Sequence, residues 1–216
     1  MIVRRTFFAA VAGLLLTLSF GLPAAAGEQD PRAFVAHLAT TAMETMTVKG
    51  LSDQDRAAKF RALFTSDVDL PEIAKFVLGR YWRLATPEQQ QEFVKSFEDI
   101  VVLTWSTRFK DYGGDLRHTV TNASPDGDRG VVVDSKVDRE RQQPIALQWR
   151  LKQADGGGLR VIDLVVEGSS MAITYRSEYA AVIQANGGKV EGLLSALRGK
   201  LAELQSSGTT ATTKTN

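Results

Sequence analysis

Hydrophobic positions change period once along the chain, and that change divides it. From Pro31 to Tyr112 they recur at steps of three and four, as in helices that bury one stripe. Asp30-Pro31 opens a first helix in which Phe34, Leu38, Ala42 and Met46 share a face, and Gly50 ends it. Ser52 starts a second, with Asp55 as an acidic capping partner and Phe60, Leu63 and Phe64 as its stripe. Pro71 suits the first turn of a third helix, which Gly79 stops. Thr86-Pro87-Glu88-Gln89 is the sharpest start in the chain. Thr86 can cap, Pro87 has the fixed dihedral of a first turn, and Gln89 completes a capping box. The fourth helix then runs to Tyr112, before Gly113-Gly114, with an aromatic face carrying Phe93, Phe97, Trp105 and Phe109.

From Leu116 the period is two. Strands are expected near 116–123, 130–138, 144–152 and 159–166, joined by Asp126-Gly127, by a polar loop from Asp138 to Pro144, and by Asp155-Gly156-Gly157-Gly158. Such short connections imply an antiparallel meander. In the third strand Ile145, Leu147, Trp149 and Leu151 point one way, while Gln148, Arg150 and Lys152 point the other. The fourth is apolar on both sides: Ile162, Leu164 and Val166 share one face, and Leu159, Val161 and Val165 share the other with Asp163. Ser169 and Ser170 can cap a helix through Ala185, and a last helix spans about Lys189 to Leu204. Residues 205–216 are Ser/Thr/Gly-rich and are expected to be disordered. The fold class is α+β, a helical layer packed on a curved four-stranded antiparallel sheet.

The first 26 residues stand apart. Arg4-Arg5, the uncharged run Phe7 to Leu22, the break at Pro23 and Ala24-Ala25-Ala26 read as a cleaved signal peptide. The apolar run is short for a membrane span of about 20 residues. The expected organisation is therefore a leader at 1–26, a domain at 27–204 and a tail at 205–216. Export of such a chain suits a bacterial periplasm. The whole chain has 26 basic and 25 acidic side chains, and loss of Arg4 and Arg5 leaves the mature part close to neutral. That balance argues against nucleic acid as a partner. The absence of cysteine excludes disulfides, thiolate metal sites and a lipoprotein anchor, and two distant histidines, His37 and His118, make a poor metal site.

The usual catalytic signatures are missing. Gly187-Gly188-Lys189 lacks the earlier glycine of a phosphate loop, and Gly156 to Gly158 joins strands rather than opening a helix. Asp163 is the polar residue out of place, in a strand apolar on both sides. It could be a general acid or base in a pocket, or a structural acid held by an arginine or by helix amides. The enzyme alternative, a small-molecule or ligand-binding domain of cone-shaped α+β type, would use Asp163 or Tyr175. A further alternative is an envelope protein whose apolar layer is fully packed. Periodicity alone also leaves the aromatic stripe of the fourth helix open between plain core and cavity wall.

Three segments carry a resemblance. They are Phe76-Val-Leu-Gly-Arg-Tyr-Trp-Arg-Leu-Ala-Thr-Pro-Glu-Gln-Gln90, Gly158-Leu-Arg-Val-Ile-Asp-Leu-Val-Val-Glu-Gly168, and Ser170-Met-Ala-Ile-Thr-Tyr-Arg-Ser-Glu-Tyr179 running on to Asn186-Gly-Gly188. Together, over about residues 30 to 204, they resemble the MlaC family, the toluene-tolerance or Ttg-type periplasmic phospholipid carriers. One departure is Gly168-Ser169-Ser170-Met171, where many members have Gly-Val-Ser before the methionine. The resemblance implies a carrier, not an enzyme, that shuttles phospholipid between an outer-membrane lipoprotein complex and an inner-membrane ABC transporter complex. A related branch is associated with hopanoids. Acyl chains would lie in an apolar cavity between helices and sheet, with the headgroup in solvent and no cofactor. The residues expected to line it are Phe97, Val101, Trp105 and Phe109 from the long helix and Val133, Ile145, Leu147, Trp149 and Ile162 from the sheet. Either face of an antiparallel sheet can be the buried one, so the strand face stays open. Tyr81 and Trp82 are expected at the rim, because aromatic rings with polar tips suit an apolar–water boundary. No dense basic cluster marks a headgroup site.

Overall fold

Each helix begins where the sequence supplies a side-chain acceptor for its free amides. The structure, a computed structural model, describes residues 29–111, 116–140 and 142–212, with side chains except at 109–111 and 207–212. The expected leader lies outside the described residues. Helix α1 (Pro31–Met46) is capped by Asp30, whose carboxylate accepts from Arg32 N at 2.9 Å. Helix α2 (Asp53–Asp67) is capped by Ser52, whose hydroxyl accepts from Asp55 N and donates to the Asp55 carboxylate. Asp69 caps α3 (Leu70–Leu78), and a 3-10 turn follows at Gly79–Arg83. The capping box of α4 (Pro87–Asp111) is formed reciprocally between Thr86 and Gln89, at 3.2 and 3.3 Å.

The sheet is a meander of β1 (Arg117–Pro125), β2 (Val131–Arg139), β3 (Gln142–Gln153) and β4 (Leu159–Val166), in that order and antiparallel throughout. A fifth strand not expected from the sequence, β5 (Ser169–Ser170), pairs with the end of β4. The turn between them has φ of 49° at Glu167 and 79° at Gly168, the left-handed pair that a two-residue hairpin requires. At the turn before β2, Gly130 has φ of 117°, and a Cβ there would run into the Leu151 carbonyl. Helix α5 (Met171–Ala185) follows β5, capped by Ser170, and α6 (Val190–Thr212) closes the chain. Helix α6 carries on to Thr212, past Leu204, into the segment whose composition suggested disorder; residues 213–216 lie outside the described residues.

Packing produces two separate cores. One lies within the helical layer, where α3, α4, α5 and α6 bury Val77, Phe93, Phe97, Tyr179, Ile183 and Leu194. Phe93 and Phe97 stack on each other and meet the Tyr179 ring edge-on. The other lies between α1 and the sheet, around Phe34, Val35, Leu38, Val133, Leu151 and Val161. Helix α2 belongs fully to neither. Its one buried residue is Arg56, whose guanidinium donates to the carbonyls of Met46, Val48 and Leu51 and so ties the α1–α2 loop. Full burial of a hydrophobic side chain is worth about 1.5–3 kcal/mol. Both cores therefore hold their own elements firmly, and the space between them is left unfilled.

Candidate apolar cavity between helices and sheet

That space is a cavity of about 380 Å³, within the range of small-molecule sites. The sheet supplies one wall through Ile145, Leu147, Trp149, Leu164 and Val166. Register explains the grouping, because Leu147 pairs with Val166 and Trp149 with Leu164, and directly opposed residues share a face. Helix α1 adds Leu38, Ala39, Ala42 and Met43, and α2 adds Phe60, Leu63 and Phe64, with the two rings stacked at 5.8 Å. Helix α4 contributes Phe97, Val101, Trp105 and Arg108, and α5 contributes Met171, Ala172 and Tyr175. The walls are large and apolar, yet Ile145, Leu147, Trp149, Phe60, Leu63 and Phe64 are only half-buried. Half-exposed apolar side chains gathered around one concave space are the usual lining of a ligand site.

Of the residues expected at the site, Phe97, Val101, Trp105, Ile145, Leu147 and Trp149 meet around this space. Phe109 falls in α4, outside the described side chains. Four others lie elsewhere. Val133 is on the same sheet face but fully buried beneath α1, in the second core. Ile162 is displaced by a bulge: Arg150 pairs with Asp163 and Leu151 with Val161, so Ile162 has no partner in the ladder. Adding one residue reverses the alternation, so Val161 before the bulge and Leu164 and Val166 after it reach the wall in place of Ile162. Tyr81 and Trp82 are not at the rim. The 3-10 turn packs into the helical core, where Tyr81 is 5% exposed and its hydroxyl accepts from Arg80 at 2.8 Å, with Trp82 half-buried beside it.

The lining also contains residues that the sequence did not single out for it. Phe60, Leu63 and Phe64 read as the buried stripe of an ordinary helix, and periodicity does not tell a stripe on a core from a stripe on a cavity. The α1 stripe, Leu38 and Ala42, has the same ambiguity. Arg108, His118 and Arg139 carried no local motif.

Polar groups in the wall are few and mostly engaged. Asp163 accepts from the Ser170 hydroxyl at 2.6 Å and from Ala172 N at 3.0 Å, with Arg150 Nε at 3.8 Å. It secures the first turn of α5, where the helix dipole favours an anion. That is the structural alternative foreseen for this acid. Trp149 Nε1 donates to Ser135 Oγ at 2.9 Å. Burial raises the Tyr175 pKa, against a hydrogen bond with Trp105 that lowers it, so the phenol stays neutral. Burial pushes the His118 pKa down, which keeps its ring neutral beside Trp149. Among the described residues no group of His, Asp and Glu could hold a metal ion, and no helix is long and apolar enough to cross a membrane.

The fold and this space together define an α+β protein with an apolar ligand cavity between a helical layer and an open antiparallel sheet. Residues 36–199 match the sequence model of the MlaC protein family, and the chain belongs to that family. A relative described as toluene tolerance protein ttg2D, from Pseudomonas putida, is 26% identical over 149 residues, covering 68% of each chain. A solved structure from Ralstonia solanacearum, described as a phospholipid-binding protein in complex with a phospholipid, superposes with a TM-score of 0.71. It is 25% identical, and the match covers 82% of this chain and 99% of that one.

Proposed function

We propose that this chain is a periplasmic phospholipid carrier. It would be exported by the leader at 1–26 and would move lipid between an outer-membrane lipoprotein complex and an inner-membrane ABC transporter complex. The observation that carries the reading is the 380 Å³ space with half-buried apolar walls, in a chain whose fold is shared with a phospholipid-bound neighbour. The physical need is plain. Exposing the roughly 30 methylenes of two acyl chains to water costs more than about 20 kcal/mol, so unaided transfer is slow. A carrier offers an apolar space of similar character to the bilayer, and the membrane complexes supply the direction.

The test is mass spectrometry of organic extracts from gently purified protein. Diacyl phospholipid at near-stoichiometric amount is the expected result. A hopanoid instead would place the chain on the hopanoid-associated branch. Protein without any lipid would refute the carrier reading and favour a packed domain or an enzyme.

A further inference from the structure

The polar groups of the cavity are not spread evenly. Leu116, just before β1, and His118, Val137, Arg139 and Ile145 on the sheet line it at one end, where β1 starts, β2 finishes and β3 begins. Helix α4 ends at Asp111 and β1 begins at Arg117, so the short connection brings Arg108, in the last turn of α4, toward that same end. The other end is closed by the second core, where Phe34, Val133, Leu151 and Leu159 are buried. The cavity thus has a blind apolar end and an end that carries two arginines.

Those two cations are underused. Among the described residues the ion pairs involve neither Arg108 nor Arg139. Arg139 donates from Nη2 to the Gln143 carbonyl at 2.9 Å, but its Nε is buried without an acceptor among the described residues. A buried donor left unmade costs about 1–3 kcal/mol. Arg108 is exposed and lies over the Trp105 ring at 5.2 Å. Asp163, the carboxylate in the lining, is already held by Ser170, Ala172 N and Arg150. His118 is neutral there and adds no charge. Among the described residues lining this end, the charged side chains are therefore the two arginines, and Arg139 Nε lacks an acceptor.

We infer that Arg108 and Arg139 form the phosphate end of the cavity, taking the phosphodiester of a lipid whose acyl chains enter the blind end, and that they favour a headgroup of net negative charge. The inference rests on the carrier reading above. Guanidinium groups suit it because they present planar forked donors to phosphate oxygens and stay charged at any physiological pH. A zwitterionic lipid brings its own cation close to this pair, whereas an anionic one does not.

The experiment uses delipidated full-length mature protein, mixed with vesicles holding equal phosphatidylglycerol and phosphatidylcholine, with the loaded lipid counted by mass spectrometry. The unmutated protein should load phosphatidylglycerol about tenfold over phosphatidylcholine, because the choline cation is repelled by the two guanidinium groups. Raising salt should shrink that ratio without any mutation, since an exposed arginine is screened. The R108Q/R139Q pair should retain lipid yet lose the preference, and R108K/R139K should recover part of it. Arg108→Gln alone, at an exposed position, covers the case in which the double variant fails to fold. Acyl-free glycerophosphoglycerol at the same concentration should not displace the lipid. A preference unchanged in the glutamine variants, equal loading by the unmutated protein, or displacement by the soluble phosphodiester would overturn the assignment and leave the carrier reading standing. Loading of neither lipid would overturn both.

Discussion

Leu147→Trp separates a ligand cavity from a packed core. Leu147 faces the space from the middle of β3, half-buried, paired with Ser135 on one side and Val166 on the other. Tryptophan adds about six heavy atoms to that wall. Displacing a comparable number of lipid methylenes costs about 5 kcal/mol at about 0.8 kcal/mol each. Part of that is regained if the chain slides outward, so we expect lipid retained after gentle purification to fall at least about tenfold. The folded protein should change little, because the indole occupies volume that the ligand vacates. Val133→Phe is the paired control on the same sheet face. Val133 has no exposure and packs against α1, so enlarging it is overpacking, with a typical cost of about 1–3 kcal/mol. Lipid content and denaturant stability would be read on one preparation of each variant. If Leu147→Trp lost stability as Val133→Phe does and kept its lipid, the cavity assignment would be wrong.

Three further outcomes follow from individual contacts. Gly130→Ala should destabilise by about 1–3 kcal/mol in chemical denaturation, since φ of 117° and the Leu151 carbonyl both oppose a Cβ; an unchanged midpoint would contradict the turn geometry. Asp163→Asn can keep one of the two hydrogen bonds to Ser170 and Ala172, so it should cost about 1–3 kcal/mol while lipid per folded molecule persists; a catalytic turnover abolished by it would instead support the enzyme alternative. His118 titrates lower in the folded than in the unfolded chain, so the unfolded state binds the proton first and stability should fall as pH drops below the ordinary histidine value of 6.5. That component should vanish in His118→Phe, and an identical pH dependence in both proteins would show that the ring is not desolvated.

Periodicity read the elements well because caps and stripes are local. Thr86-Pro87-Glu88-Gln89 starts α4 where its capping box forms, and Ser170 caps α5 as its position suggested. Site residues were legible only where local and global geometry agree. Ile145, Leu147 and Trp149 lie on an unbroken stretch of strand, so alternation alone sends them to one wall. Ile162 fails because the bulge opposite Arg150 and Leu151 inverts the alternation, and nothing in an all-apolar strand announces an unpaired residue. Val133 fails for another reason: it has the right face but the wrong depth, and depth depends on where α1 crosses the sheet. Arg108 and Arg139 form no run in the sequence. They share one end of the cavity only because the chain reverses between α4 and β1 and again between β2 and β3.

A cavity of this size must resist collapse, and the arrangement of cores explains how. Apolar walls gain from closing on each other, so an empty space persists only if rigid elements hold the walls apart. The helical core fixes α4 and α5 independently of the core that fixes α1 on the sheet, and neither can close the gap without unpacking itself. Helix α2 is the exception. It places Phe60, Leu63 and Phe64 on the cavity, with Leu63 and Phe64 packed at the margins of the two cores, and its other anchors are polar: Arg61 pairs with Glu98 and Asp99 of α4, and Arg56 holds the loop carbonyls. With no apolar side chain fully buried, and with partly exposed ion pairs that contribute little to stability, α2 is held less firmly than the walls built on either core. Scaled from an apolar cavity of about 150 Å³ that takes one benzene ring, the present space holds about 15 carbons, close to one acyl chain. The proposed two-chain lipid would need the space enlarged, and outward movement of α2 would enlarge it at the expense of the Leu63 and Phe64 contacts while sparing the buried members of both cores.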